Sequence, residues 1–192
     1  MNDLELQLPE KRHKTAAEEF RKFFLEHGET VIYGSAMFDQ MEFDEWLKYT
    51  TENRENGGSN GWVPATTFFV IRKSDAKIIG MLDVRHHLQH QFLAKYGGHI
   101  GYSVVPGERK KGYATEILKL GKQFAETLKI PQLMVCCFSD NLGSIKTIEK
   151  NGGVLSETLA YEDENFTKIP GTVEKKSIFT GLNSKSMKKT DK

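Results

Sequence analysis

The stretch from Val104 to Leu118, VVPGERKKGYATEIL, constrains the fold of this chain more than any other part of the sequence. Two β-branched residues run into a proline, a basic turn with a glycine follows, and apolar residues then recur at helical spacing. The pattern predicts a strand that leads through a tight turn into a helix. The N–H groups of a first helical turn have no intrahelical acceptor and lie at the positive end of the macrodipole. Arg109, Lys110 and Lys111 beside Gly112 therefore predict a phosphate site.

The small residues of the turn indicate how a ligand could reach it. Gly112 and Ala114 let a diphosphate approach the backbone, and Thr115 could donate its hydroxyl to the same oxygens. The GxxxxGK[ST] and GxGxxG patterns are both absent, which excludes the standard ATP loop and the dinucleotide fingerprint.

The order of apolar patterns predicts the architecture. Helices are predicted over 14–27 and 41–55, and the first has an inward stripe of Phe20, Phe23, Phe24 and Leu25. Strands are predicted over 65–72, 77–85 and 99–105, a helix over 111–129, and a strand buried on both faces over 132–138. A short helix over 142–153 and strands over 154–162 and 175–182 follow. The fold class is α/β (α+β in some schemes), a single-layer mixed, largely antiparallel sheet with helices on both faces.

One domain is predicted over 1–182, with N-terminal helices within 10–55 and the core within 65–182. The tail 183–192 is polar and is predicted to be disordered.

Composition excludes several classes of protein. Lys and Arg number 27 against 26 Asp and Glu, which argues against a nucleic-acid partner. No apolar run approaches the roughly 20 residues that cross a membrane, so no membrane partner is expected. The start of the chain lacks the apolar region of a secretory signal, and the adjacent Cys136 and Cys137 fit free thiols, so a cytoplasmic location is expected.

Two short motifs carry a resemblance to a known family. Arg109, Gly112 and Ala114 form R-x-x-G-x-A, and Asn141, Ser144 and Gly152 form N-x-x-S-x(7)-G. With the order of strands and helices, these motifs resemble the GCN5-related N-acetyltransferase (GNAT) family over about residues 65–182. The resemblance implies an acyl-CoA N-acyltransferase-like fold with splayed central strands, and acetyl-coenzyme A as co-substrate with no metal.

The resemblance also implies a set of coenzyme contacts. The strand ending at Val104 and Val105 would splay from the next strand, and the pantetheine arm would pair with the backbone groups left free. The pyrophosphate would bind the turn, and the arm would bind the start of the following helix. The implied residues are Val104, Val105, Arg109, Lys110, Lys111, Gly112, Tyr113, Ala114, Thr115, Asn141, Ser144 and Lys150.

Acetyl transfer to an amine needs an oxyanion donor and benefits from an acid. A backbone N–H near Tyr102 to Val104 could stabilise the oxyanion. Many family members carry a tyrosine acid seven residues after the asparagine, where this chain has Ile148. Another hydroxyl could serve (Tyr102, Tyr161 or Ser139), the thiolate could leave unassisted, or the protein could bind the coenzyme without turnover.

The base has several candidates. Alternation along the strand places His99 on the opposite face from Ile100 and Tyr102, yet His99 remains a candidate. Asp83, the acidic cluster Glu162, Asp163 and Glu164, and a water relay are the alternatives. His86 and His90 could ligate zinc if their segment were helical, but no third ligand has suitable spacing, so no metal site is predicted.

The resemblance thus implies an N-acetyltransferase that transfers an acetyl group from acetyl-CoA to a primary amine by direct attack in a ternary complex. The alternative is a catalytically silent acyl-CoA-binding sensor, and a nucleotide-binding domain is a weaker one. The expected partner is a small-molecule or peptide amine, whose pocket the loops at 52–62 and 86–98 would shape. A monomer or homodimer is expected.

Overall fold

A computed structural model describes residues 3–58, 61–160 and 175–182. The helices and strands of these residues are, in chain order, β1 (Leu4–Gln7), α1 (Lys14–Glu26), α2 (Phe43–Asn56), β2 (Ala65–Arg72), β3 (Lys77–Arg85), β4 (Ile100–Val104), α3 (Tyr113–Thr127), β5 (Val135–Phe138), α4 (Leu142–Lys150), β6 (Val154–Ala160) and β7 (Lys175–Thr180).

The strands form two hydrogen-bonded groups. One has the order β1-β2-β3-β4 and the other β5-β7-β6, and every pairing between these strands is antiparallel. Within the described ranges an isolated bridge between Gly98 and Val135 connects the groups, just before β4 begins. Beyond that bridge β4 and β5 splay apart, so the predicted fold with splayed central strands is confirmed.

Apolar side chains pack on both faces of the sheet. On one face, Leu82, Ile117, Ile148 and Phe179 belong to a buried cluster beneath α3 and α4. On the other, α1 and α2 contribute aromatic side chains to a second cluster that includes Phe24 and Trp46. Burying one such side chain contributes about 1.5–3 kcal/mol, so both helix layers stabilise the sheet.

Three details differ from the sequence prediction. The strand β1 was not predicted, because four residues with only Leu4 and Leu6 in alternation give a weak signal. Leu25 is 52% exposed rather than buried, since α1 turns Ala17, Phe20 and Phe24 toward the sheet. The strand predicted over 132–138 shrinks to β5, where only Val135 is fully buried because β5 borders the split.

In the described part of the chain, no helix combines the length and the apolar character that a membrane crossing requires.

Candidate functional site

A cleft of about 520 Å³ opens where the sheet splits. It lies between the end of β4, the turn that follows it, and the first turns of α3 and α4. Eleven of the fourteen residues predicted for the site line this cleft: Tyr102, Val104, Arg109, Lys110, Gly112, Tyr113, Ala114, Thr115, Asn141, Ser144 and Lys150. Val105, Lys111 and His99 do not.

The turn before α3 has the backbone of an anion site. Lys110 (φ 62°) and Gly112 (φ 87°) both adopt left-handed conformations, and Lys111 between them does not. Such alternation of hand directs successive N–H groups to one side, which makes a concave site for an anion. Gly112 is also the N-cap of α3, so the N–H groups of Tyr113 and Ala114 belong to the unsatisfied first turn.

The buried carboxylate of Glu108 holds this turn in place, a role that was not predicted from the sequence. Glu108 accepts hydrogen bonds from Lys111 Nζ at 2.8 Å, from Arg72 Nη1 at 3.0 Å and from Lys77 Nζ at 3.3 Å. The bond from Lys111, with those from the other two cations, lowers the pKa of Glu108 to about 2. Arg72 also donates to the Tyr113 hydroxyl at 3.0 Å. Lys111 is therefore engaged by Glu108, which explains why it does not line the cleft.

All three nitrogen atoms of the Arg109 guanidinium group donate hydrogen bonds to protein groups. Its Nε donates to Val104 O at 2.9 Å, and Nη1 and Nη2 donate to the two carboxylate oxygens of Glu29 at 2.7 Å each. Arg109 thus ties the end of β4 to the chain that follows α1.

Three lysines supply positive charge around the cleft. Lys110, Lys146 and Lys150 line it, and none of them has an ion pair with another described residue. Lys146 was missed by the sequence analysis, although its spacing from Lys150 on α4 (i, i+4) places both on one helix face.

Asn141 is the N-cap of α4. Its Oδ1 accepts from the Ser144 backbone N–H at 3.0 Å. The cap uses the acceptor oxygen, and the two N–H donors on Nδ2 are not part of it.

Tyr102 places a hydroxyl between β4 and α4. It donates to Ser144 Oγ at 3.3 Å. Burial raises the pKa of Tyr102 to about 12, so the phenol is neutral at physiological pH.

The β4 backbone also offers groups to the split. Val105 N–H donates to Ile79 O at 2.9 Å, and His99 O accepts from Arg85 N–H at 2.8 Å. The odd-numbered residues along this strand therefore direct their backbone hydrogen bonds to β3. In an antiparallel ladder the intervening residues direct their N–H and C=O groups to the other side. The polar backbone of Tyr102 and Val104 therefore points toward the split, whereas Val105 packs in the aromatic core.

His99 lies at the bridge rather than in the cleft. Its Nδ1 accepts from the Met134 N–H at 3.0 Å, and burial lowers the pKa of His99 to about 4. The ring is thus held neutral as a hydrogen-bond partner of the chain before β5.

The other candidate bases also lie away from the cleft. Asp83 is 4% exposed, accepts from Thr67 Oγ1 at 2.8 Å and approaches Arg85 Nε at 3.6 Å. Burial raises the pKa of Asp83. Tyr161, Glu162, Asp163 and Glu164 fall outside the described residues, as does the tail 183–192.

Ile148 is fully buried in the core beneath α3 and α4. The position where many family members carry a tyrosine acid therefore faces away from the cleft in this chain.

The segment that carries His86 and His90 is not helical, so the geometry of a zinc-binding i, i+4 pair does not arise. His86 Nε2 instead forms a hydrogen bond with Thr66 Oγ1 at 2.8 Å. Cys136 and Cys137 are free, and burial raises the pKa of both thiols.

Comparison with known proteins identifies the class. The family model for the acetyltransferase (GNAT) domain matches residues 5–154. The chain belongs to this family of acetyl-CoA-dependent N-acetyltransferases. No curated protein sequence matches it significantly.

Solved structures share the fold at low sequence identity. A dodecameric spermidine N-acetyltransferase from Vibrio cholerae is 17% identical, with a TM-score of 0.66 and all of both chains covered. The ribosomal-protein-S5-alanine acetyltransferase from Vibrio fischeri is 15% identical, with a TM-score of 0.65 and 95% of this chain and 94% of that one covered. The microcin C7 self-immunity acetyltransferase in complex with acetyl-CoA and AMP is 17% identical, with a TM-score of 0.61 and 94% and 92% covered.

Proposed function

We propose that the chain transfers the acetyl group of acetyl-CoA, bound in the split-sheet cleft, to a primary amine by direct attack in a ternary complex. The observation that carries the proposal is the arrangement of the cleft, which has an anion-binding turn at one end and the Tyr102–Ser144 hydroxyl pair in its wall. The named solved structures include enzymes for a polyamine and for a ribosomal protein. Both classes of amine remain candidates for this chain.

The residues of the cleft fit the coenzyme by their chemistry. The backbone N–H groups of 110–114 suit the pyrophosphate, and Lys110, Lys146 and Lys150 suit further phosphate charge. The backbone of Tyr102 and Val104 faces the split and suits the amides of the pantetheine arm. Ser103 also lines the cleft, and its buried hydroxyl has no hydrogen-bond partner among the described residues.

Acetyl-CoA supplies the acetyl group and a thiol as leaving group. We assign the stabilisation of the forming oxyanion to a backbone N–H of Tyr102 or Val104. A free thiol has a pKa of about 8.5, well below that of the Tyr102 phenol, so complete proton transfer from the phenol to a thiolate is uphill. We therefore assign to Tyr102 a hydrogen bond to the departing sulfur, with water as the source of the proton.

The amine must lose a proton before it attacks. Glu29 and Glu108 are the described carboxylates that line the cleft, and both are ion-paired. We propose that solvent removes this proton. The rate at saturating acetyl-CoA should then rise with pH up to the pKa of the amine, about 10 for a lysine-like group.

Release of free thiol from acetyl-CoA, measured over a panel of amines and peptide N-termini, tests the proposal. Amine-dependent release that Tyr102→Phe slows would support it. Calorimetric binding of coenzyme A without release for any amine would instead favour the silent sensor.

A further inference from the structure

Asn151, the C-cap of α4, joins the two helices that flank the cleft. Its side-chain Nδ2 donates to Thr115 O at 3.1 Å, in the first turn of α3, and to Thr147 O at 3.0 Å, in α4. Both acceptors are carbonyl oxygens, so only the nitrogen of the amide can bind them. Thr115 and Thr147 line the cleft, and Asn151 is not among the lining residues. The amide therefore connects two walls of the cleft without being part of either.

The end of α4 holds Asn151 in one place. Gly152 is left-handed (φ 86°), and the N–H of Gly153 donates to Ile148 O at 3.0 Å, the pattern of a Schellman motif. The N–H of Asn151 donates to the same carbonyl at 3.0 Å, so its side-chain amide takes up the carbonyl of Thr147.

A lysine of α3 binds the main chain of the same residue. Lys122 Nζ donates to Asn151 O at 2.5 Å. Lys122 follows Thr115 by seven residues, which places both on one face of α3 about two turns apart. The helix α3 therefore contacts Asn151 at two points along its length.

These hydrogen bonds add direction to an apolar contact between the helices. Ile117 of α3 and Ile148 of α4 belong to one buried cluster. Apolar burial has no preferred direction, whereas a hydrogen bond weakens steeply when its length or angle changes. The two bonds of the amide thus fix the distance between α3 and α4 beside the cleft.

That distance matters for a ligand that both helices contact. The backbone N–H groups of 110–114 immediately precede Thr115, and Lys146 and Lys150 lie on α4 within one turn of Thr147. Under the proposed function, both sets of groups bind phosphates of the coenzyme. A change in the distance between the helices would move one set away from the other, so the ligand could bind only one of them at full strength.

Resting on the proposed function, we propose that Asn151 is a positioning residue for coenzyme binding. It does not contact the ligand. It holds the anion-binding turn before α3 at a fixed distance from the lysines of α4, so that both can bind the same coenzyme molecule.

Asn151→Leu in the full chain tests this role, because leucine has a similar volume, has no charge and lacks both N–H donors. We expect calorimetry to show coenzyme A binding about fivefold more weakly to the folded variant. Ala16→Gly, at an exposed position of α1, is the control for stability. It should lower the melting temperature and leave the affinity unchanged.

A double-mutant cycle with Lys146 separates positioning from a general loss of stability. In the wild-type background, Lys146→Met should weaken coenzyme A binding by about fivefold, because it removes a charge-assisted contact. In the Asn151→Leu background, the same change should alter the dissociation constant by less than about twofold, because the lysine is no longer held at the right distance from the turn.

Lys122→Met tests the second bond to Asn151 in a protein that keeps the amide. It should weaken coenzyme A binding by about twofold to threefold. Lys119→Met removes the same charge from the same helix, at an exposed position where the lysine pairs with Glu116, and should leave the affinity unchanged.

Wild-type affinity in folded Asn151→Leu, or an undiminished effect of Lys146→Met in its background, would overturn this inference alone. If Asn151→Leu does not fold, equal affinities of Lys122→Met and Lys119→Met would overturn it. A wild-type protein that does not bind coenzyme A would overturn the proposed function itself.

Discussion

Substitutions at Asn141 separate its role as an N-cap from the proposed contact with the coenzyme, since the cap uses Oδ1 and the ligand contact would use Nδ2. The cap is one hydrogen bond of 3.0 Å at the start of a nine-residue helix. Its loss in Asn141→Ala should cost about 1 kcal/mol of unfolding free energy. For a chain of this size, that loss lowers the melting temperature by roughly 2–4 °C.

Asn141→Ser and Asn141→Asp keep a capping oxygen and lose the amide donors. Both should melt within about 1 °C of the wild type, because Ser and Asp are good N-caps. If Nδ2 donates to the pantetheine arm, Asn141→Ser should weaken coenzyme A binding by about fivefold to tenfold, the equivalent of one net hydrogen bond. Asn141→Asp should weaken it further, because the new negative charge would lie in the cleft proposed to bind the phosphates.

Melting curves with and without coenzyme A, together with calorimetric dissociation constants, measure both effects. Wild-type affinity in Asn141→Ser would refute the ligand contact and leave Asn141 as a cap only.

Three further substitutions test separate parts of the structure. Gly112→Asp should abolish measurable coenzyme A binding in a folded protein, because it adds a negative charge and strains a left-handed residue; retained affinity by calorimetry would refute the phosphate assignment. Ile148→Tyr should destabilise the fold by about 3 kcal/mol or more in a denaturant titration, because it overpacks a fully buried site and buries a hydroxyl; a stable variant with faster thiol release would contradict this placement. The pKa of His99 falls from 6.5 to about 4 on folding, so the neutral ring stabilises the fold fully above pH 6.5 and this stabilisation is lost as the pH falls toward 4. Over that pH range the free energy of unfolding of the wild type should decrease by up to about 3 kcal/mol more than that of His99→Gln. Parallel curves of stability against pH would argue against a buried neutral ring.

The conformation of the turn before α3 could be predicted because its determinants are local in sequence. Arg109, Gly112 and Ala114 fall within six residues, and the requirement for a left-handed glycine before a helix is a property of that short stretch. Asn141 and Ser144 were found for the same reason, since an N-cap and the residue that it caps are three apart.

Contacts between distant segments could not be predicted. Glu29 and Arg109 are eighty residues apart, and no periodicity relates them. The ion pair between Glu108 and Lys111 could not be predicted for a related reason. A run of charged residues does not show which cation binds a buried carboxylate and which one is exposed. The sequence predicted that Lys111 binds the phosphates. In the structure, the carboxylate of Glu108 forms ion pairs with Lys111, Arg72 and Lys77.

The face of the sheet on which a residue lies was easier to predict than the partners of its strand. Alternation separated His99 from Tyr102, and the structure places only Tyr102 in the cleft. The predicted length of β5 was wrong because an apolar run does not show where strand pairing begins. Met134 forms its backbone hydrogen bonds with His99, and the ladder of β5 with β7 begins only at Val135.

The gap between β4 and β5 also affects the stiffness of the sheet. Within the described residues, the two halves of this sheet are joined by the isolated bridge at Gly98 and by the hydrogen bonds between His99 and Met134, and side chains beneath the helices add apolar contact. Backbone hydrogen bonds are directional and resist shear, whereas apolar packing tolerates small sliding. A ligand that forms backbone hydrogen bonds with both edges would therefore add directional contacts across the gap and make the sheet stiffer.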